Sequence, residues 1–177
     1  MKTTQILIAG FGGQGVLFAG KFLAYKGMVQ DKQISWLPSY GPEMRGGTAN
    51  CSVCVSDNPI GSPLILNPDA LIAMNLPSFD KFIDTVKPGG TVLVDSTMVE
   101  KTTDRTDIKV FYVPATKMAD DNGIKGLANI ILLGKLFKEM QFCSPEALMK
   151  GLEKCVPASK AAMLESNKKA LQLGMDF

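Results

Sequence analysis

Gln5-Ile6-Leu7-Ile8-Ala9-Gly10-Phe11-Gly12-Gly13-Gln14-Gly15 decides how this chain is read. The first five residues are a short, mostly aliphatic run that stops at Gly10, as a strand buried on both faces does. From Gly15 onward Val16, Ala19, Gly20, Leu23 and Gly27 recur at helical spacing, with small residues that let a helix lie close to a sheet. The unit is strand, glycine turn, helix. Its glycines match G-x-G-x-x-G in the context that gives that pattern meaning, after a strand and opening a helix. Gly10 permits a tight turn, Gly12 removes a Cβ so that a ligand or another backbone can approach, and Gly15 permits close packing. Amides exposed at a helix start favour an anion, which makes Gly10, Gly12, Gly13, Gln14 and Gly15 the first candidate site residues.

Downstream, Ile34–Leu37 reads as a second strand ended by Pro38. Residues 39–47 form a glycine- and proline-punctuated loop, and Thr48–Ser56 alternates like a third strand. Ala70–Met74, Thr91–Asp95 and Lys109–Val113 are three more apolar runs. After Pro77, Ser78 is expected to cap a helix bearing Phe79, Phe82, Ile83 and Val86 on one face. Leu127 to Met140 forms a broad apolar helical stripe. Ser144-Pro145-Glu146 is an N-cap with Pro at the first helical position, opening a helix with Leu148, Leu152 and Cys155 inward. A last helix is expected from about Ser159, with Gly174 as its C-cap. Strands alternating with helices predict one α/β domain over residues 1–177, Rossmann-like, with an open, mostly parallel sheet and helices on both faces.

Composition narrows the chemistry. The chain has 177 residues, 46% of them hydrophobic, with Lys+Arg 19 against Asp+Glu 17 and no histidine. Imidazole bases, Ser-His or Cys-His nucleophile pairs and histidine metal sites are therefore excluded. A net charge of +2 with scattered lysines gives no nucleic-acid footprint. No apolar run approaches the ~18 residues of a membrane span, and no signal-peptide core is evident, so a cytoplasmic protein is expected.

Both glycine-rich segments fall after strands, where α/β sheets place their sites. A dinucleotide site also wants an acid at the end of the second strand to hold the ribose. That strand ends Leu37-Pro38-Ser39, with Asp31 before it. This counts against a stand-alone NAD- or FAD-binding enzyme. The plainer possibility is that the glycines make a compact turn and a flat contact surface. In the second segment, Tyr40, Glu43, Arg45, Gly46 and Gly47 are the candidates. Only two arginines exist, Arg45 and Arg105. The planar fork of Arg45 suits a carboxylate, a phosphate or an interface pair, with Glu43 as an internal alternative partner.

Cys51-x-x-Cys54 lies on a predicted strand, where positions three apart face opposite ways, so the pair cannot easily share a metal. Buried, reduced cysteines are the expectation. Asp95 at a strand end is expected to cap backbone amides. Asp120-Asp121-Asn122-Gly123 reads as a turn or cap cluster, without the ligand spacing of a calcium loop.

Three segments together carry a resemblance: Gly-Phe-Gly-Gly-Gln-Gly after the first strand, Ser-Tyr-Gly-Pro-Glu-Met-Arg-Gly-Gly-Thr-Ala after the second, and Ser56-Asp57-Asn58-Pro59-Ile60-Gly61-Ser62-Pro63 after the third. In this order they resemble the gamma subunit of 2-oxoacid:ferredoxin oxidoreductases, over almost the whole chain. Pro42-Glu43-Met44-Arg45 is more similar to the 2-oxoglutarate and branched-chain 2-oxoacid members, with 2-oxoglutarate favoured. The resemblance implies a complex of EC 1.2.7 type in anaerobic metabolism, which decarboxylates a 2-oxoacid, reduces ferredoxin and releases an acyl-CoA. It implies no catalytic residue, metal or cofactor in this chain. Thiamine diphosphate and iron-sulfur clusters would lie in partner subunits of alpha, beta and delta type, with CoA as co-substrate of the complex. The candidate residues would then contact partners or help position CoA. A purely structural assembly module remains the third possibility.

Overall fold

The computed structural model describes residues 3–40, 48–156 and 158–177. Strand β1 (Thr3–Phe11) leads through the glycine turn into helix α1 (Val16–Val29). Then come β2 (Gln33–Tyr40), β3 (Thr48–Ser56), β4 (Ala70–Ala73), α2 (Leu76–Phe82), β5 (Thr91–Asp95) and β6 (Lys109–Val113). Helices α3 (Ala115–Asp121), α4 (Ala128–Met140), α5 (Pro145–Cys155) and α6 (Ala161–Asp176) complete the described chain.

The strands form one sheet in the order β2-β3-β1-β4-β5-β6. β4 pairs parallel with β1 and with β5, and β5 with β6. β3 runs antiparallel to both β1 and β2, so it alone is reversed and the sheet is mostly parallel as expected. Alternation along the strands splits the core in two. Ile6, Ile8, Cys51, Val53, Ile72 and Leu93 face α1, α3 and α4, with α5 and α6 packed behind. Leu7, Leu71, Ala73, Val92 and Val94 face α2 together with Val99 and Ile108. Helices thus lie on both faces, unequally.

Four expectations are corrected. Pro38 does not end the second strand: β2 runs on to Tyr40, because β2 is an edge strand and an edge tolerates a residue without an N–H. Ser78 is buried inside α2, and Asn75 is the cap, its Oδ1 accepting from Ser78 N–H at 2.8 Å. Helix α3 went unread, since Pro114 precedes only seven residues of mixed polarity. The Asp120-Asp121-Asn122-Gly123 cluster closes that helix as the turn and cap expected of it, with Asn122 as C-cap and Gly123 at φ +69°.

Gly174 is the fourth. It lies within α6 rather than ending it, and that helix opens at Ala161, after a 3-10 turn over Ala158–Lys160. A Cβ at Gly174 would meet the Ile131 carbonyl of α4, and one at Gly134 would meet the Leu171 carbonyl of α6. The two helices therefore cross backbone to backbone at a pair of glycines. By contrast the Ser144 cap is as expected, accepting from Ala147 N–H at 3.2 Å, and Leu148, Leu152 and Cys155 are buried.

Candidate functional site

The carboxyl ends of β1, β4, β5 and β6 lie side by side, and the glycine turn follows the first of them. Gly13 (φ +96°) and Gly15 (φ +74°) use left-handed backbone that other residues rarely adopt. Gly15 is the N-cap of α1 and offers no side-chain cap. The Gln14 side chain folds back over the turn: its Oε1 accepts from Phe11 N–H at 2.6 Å and its Nε2 donates to Met74 O at 3.0 Å. A Cβ on Gly10 would lie 2.7 Å from that Oε1 and 3.1 Å from Met74 Cβ. A Cβ on Gly15 would lie 3.0 Å from Asn129 Cγ, and Asn129 Nδ2 donates to Gly15 O at 2.9 Å. The outer glycines thus accommodate the protein's own amide side chains. At Gly13 the space beside the turn is open.

Beside Gly13 a groove of about 240 Å³ is walled by Gln14, Met74, Met98, Thr116, Ala119 and Lys125. Its walls are mainly apolar, with Lys125 as a cation and Asp120 as an anion. Apart from Gln14 and Asp120, these residues were not singled out from the sequence, because they reach the groove from the ends of β4, β5 and β6, from the unread α3 and from the loop after it. Leu76 and Met98, 41% and 42% exposed, add apolar surface at this same end of the sheet.

Asp95 stands at the end of β5 where a catalytic acid could sit, yet it is fully buried and committed. Its Oδ1 accepts from Thr97 N–H (3.1 Å) and Thr116 N–H (3.3 Å), and its Oδ2 from Thr116 Oγ1 (2.6 Å). It caps the turn after β5 and the first turn of α3, satisfying backbone amides as expected. Asp31 lies at the amino end of β2 in left-handed backbone at φ +53°, remote from any ribose at the carboxyl end. With Gln14 occupying the turn, these residues do not fit a dinucleotide pyrophosphate. Tyr40 closes β2. Glu43, Arg45, Gly46 and Gly47 lie outside the described residues.

The cysteines are free thiols. Cys51 faces α1 beneath Gly20, and burial pushes its thiol up to about 12 although Trp36 donates to it. Cys54 belongs to the opposite face, and burial raises it as well, reinforced by Asp69. Among the described residues no group of three or more Cys, Asp or Glu side chains is placed to hold a metal. Among them, too, no helix is long and apolar enough to cross a membrane.

The family model for pyruvate ferredoxin/flavodoxin oxidoreductase matches residues 5–177. The chain belongs to this family. Ketoisovalerate oxidoreductase subunit VorA of Methanothermobacter thermautotrophicus is 36% identical over 173 residues, covering 98% of this chain but 36% of that protein. The chain thus spans little more than a third of that relative's length. 2-Oxoglutarate synthase subunit KorC of Methanocaldococcus jannaschii is 36% identical over 158 residues, covering 86% of this chain and 83% of that one. Among solved structures, the gamma subunit of a keto/oxoacid ferredoxin oxidoreductase from Geobacter sulfurreducens superposes with a TM-score of 0.82 at 33% identity. That match covers 98% of this chain and 96% of the other. The oxidoreductase family therefore accounts for the whole described fold, glycine turn included.

Proposed function

We propose that this chain is the gamma subunit of a cytoplasmic 2-oxoacid:ferredoxin oxidoreductase, a complex that oxidatively decarboxylates a 2-oxoacid to an acyl-CoA and reduces ferredoxin. The observation that carries this reading is the end-to-end match to the solved gamma subunit, in which 98% of one chain covers 96% of the other. Thiamine diphosphate and the iron-sulfur clusters belong, on this reading, to partner subunits. They supply the carbanion chemistry and the electron path. This chain contributes a shaped surface made by the glycine turn and the groove beside Gly13, and Tyr40, Glu43, Arg45, Gly46 and Gly47 are the further residues proposed to contact partners or CoA. That surface packs beside the thiamine-binding subunits and helps position CoA, with Arg45 suited to a phosphate. The relatives named for ketoisovalerate and for 2-oxoglutarate are equally similar at 36%. The Pro42-Glu43-Met44-Arg45 form makes 2-oxoglutarate the first substrate to assay.

The test is to isolate the tagged chain from its native cells, identify what copurifies, and measure CoA-dependent reduction of ferredoxin by 2-oxoglutarate, 2-oxoisovalerate and pyruvate. A chain that purifies alone and binds NAD or FAD tightly refutes the proposal. One observation favours a second reading, that of a purely structural assembly module: Gln14 takes the Phe11 N–H internally, leaving less of the turn for a ligand. Arg45→Ala separates the two. Direct CoA contact predicts a raised CoA Michaelis constant in an intact complex, and a structural role predicts loss of association.

A further inference from the structure

Residues 57–69, which follow β3, play no part in the groove beside Gly13. They form no helix or strand, and Pro59, Pro63 and Pro68 punctuate them. Hydrogen bonds hold the segment at both ends: Asn58 N–H donates to Ser56 Oγ at 3.1 Å, Asn67 Nδ2 to Thr85 O at 2.9 Å, and Lys87 N–H to Pro68 O at 3.1 Å. Between these ties Leu64 and Leu66 stand 64% and 79% exposed, the most exposed large apolar side chains among the described residues. A tethered segment that holds two leucines in water gains little for its own fold from them.

Beside the leucines lies a recess of about 390 Å³. Its floor is the sheet, where Leu37 of β2 pairs with Ser52 of β3, and Ser52 with Leu7 of β1. Helix α1 packs on the other face of β2 and β3, and α2 packs mainly on β1 and β4. The recess remains between the 57–69 segment and the end of α2, walled by Ile65 and Phe82. Lys81 is the single charged side chain among the described residues that line it. Its Nζ lies 5.2 Å from the centre of the Phe82 ring, and no described carboxylate pairs with it. The acids nearest it in sequence, Asp80 and Asp84, line a different cavity.

These features select an occupant. The leucines and the apolar walls call for apolar side chains, and a cation without a counter-charge calls for a carboxylate. A second copy fits poorly, because a two-fold contact sets the same patch against itself and would bring Lys81 to Lys81 with no acid between them. A lipid surface wants a cluster of basic residues beside the apolar ones, and here there is one. We propose that the recess and its two leucines are a docking surface for a partner subunit, which inserts an apolar segment bearing an aspartate or glutamate that meets Lys81. This rests on the reading of the chain as one subunit of a complex. It adds a contact that shares no lining residue with the groove beside Gly13.

Hydroxyl-radical footprinting, read by mass spectrometry, compares the isolated chain with the natively purified, ferredoxin-reducing complex. Leu64 and Leu66 should be labelled at least tenfold less in the complex. The double variant Leu64→Ser/Leu66→Ser changes only exposed positions, and circular dichroism checks that the isolated chain stays folded. It should lower recovery of the complex tenfold or more, and Leu64→Met/Leu66→Met should restore it. Lys81→Glu should weaken association by a similar factor at low salt, and Lys81→Arg should not. Unchanged labelling of both leucines in an intact complex overturns the docking surface and leaves the subunit reading standing; so does unchanged recovery with the serine variant or with Lys81→Glu. A chain that copurifies with no other subunit overturns both. Dimerisation of the isolated chain, or its binding to phosphatidylglycerol vesicles, that the serine variant abolishes assigns the surface to a second copy or to lipid and also overturns the proposal.

Discussion

Replacing Gly174 by alanine tests the backbone-to-backbone crossing of α4 and α6. The added Cβ would fall inside contact distance of the Ile131 carbonyl oxygen on α4, 2.8 Å from its carbonyl carbon and 2.9 Å from Lys135 N. These are backbone atoms within a helix, so no rotamer change can relieve the clash. The helices must part by about an ångström. A gap of that size forfeits a quarter to a half of each affected van der Waals contact. The interface at risk includes Ala170 and Leu171 of α6 and Ile131 of α4, all fully buried. Overpacking of this kind costs about 1–3 kcal/mol, and the unyielding backbone puts Gly174→Ala at the upper end. Higher helix propensity returns about 1 kcal/mol. The expected net is about 2 kcal/mol of destabilisation, read as a lower urea midpoint at unchanged slope. Gly134→Ala should cost about as much, since its Cβ would meet Leu171 O and lie 3.1 Å from Gly174 Cα. The double variant should cost less than the sum, because the first substitution already separates the helices. Stability equal to or above the parent in either single variant would refute the backbone crossing.

Lys26→Met removes a buried charge that, among the described residues, meets the Phe142 ring and no carboxylate, and should raise stability on the order of 1–4 kcal/mol at neutral pH. Because the folded-state pKa of Lys26 lies below 10.5, its cost is complete below that folded value and is relieved as pH rises toward 10.5. The stability gap between parent and variant should therefore narrow over that alkaline window, as checked by urea titrations at stepped pH. With an exposed-thiol reagent in native buffer, half-buried Cys143 should react first. Cys51, raised from 9.0 to about 12, carries about a thousandfold less thiolate than a free thiol and should react only on unfolding. Gln141→Gly should stabilise by about 0.5–1 kcal/mol, since Gln141 caps α4 in left-handed backbone at φ +45°; a lower melting temperature would count against that geometry.

The β1-turn-α1 unit was legible because its hydrophobic period changes at Gly10, and glycine marks that change in one dimension. The opposite facing of Cys51 and Cys54 was legible for a similar reason, since a strand fixes side-chain direction by count alone. Strand direction is not written in alternation, so the reversal of β3 had no local signal. Gly174 was misread because a glycine that ends a helix and one that lets two helices touch look alike until the partner helix is placed. The groove beside Gly13 was legible only from its β1 side. Met98, Thr116 and Lys125 stand in three later segments that the parallel crossovers bring together, and no spacing rule connects them.

The glycine pattern acquires a different meaning once its neighbours are seen. In a dinucleotide site the glycines clear a path for a pyrophosphate. Here the space over Gly10 is taken by Gln14 and the space over Gly15 by Asn129, so two of the pattern's glycines serve internal contacts. Gln14 spans from the β1 turn to the carbonyl of Met74 and thereby ties the ends of two adjacent strands. Asn129 ties the start of α4 to the start of α1. An amide at each place rigidifies the surface at the carboxyl ends without giving it a charge. A rigid platform with an open space at Gly13 and a mainly apolar groove carrying one lysine and one aspartate suits a surface that must dock against another folded subunit. It suits poorly a site that must compete with water for a free nucleotide. The absence of histidine is consistent with that division, since docking needs shape where catalysis would need a titrating group.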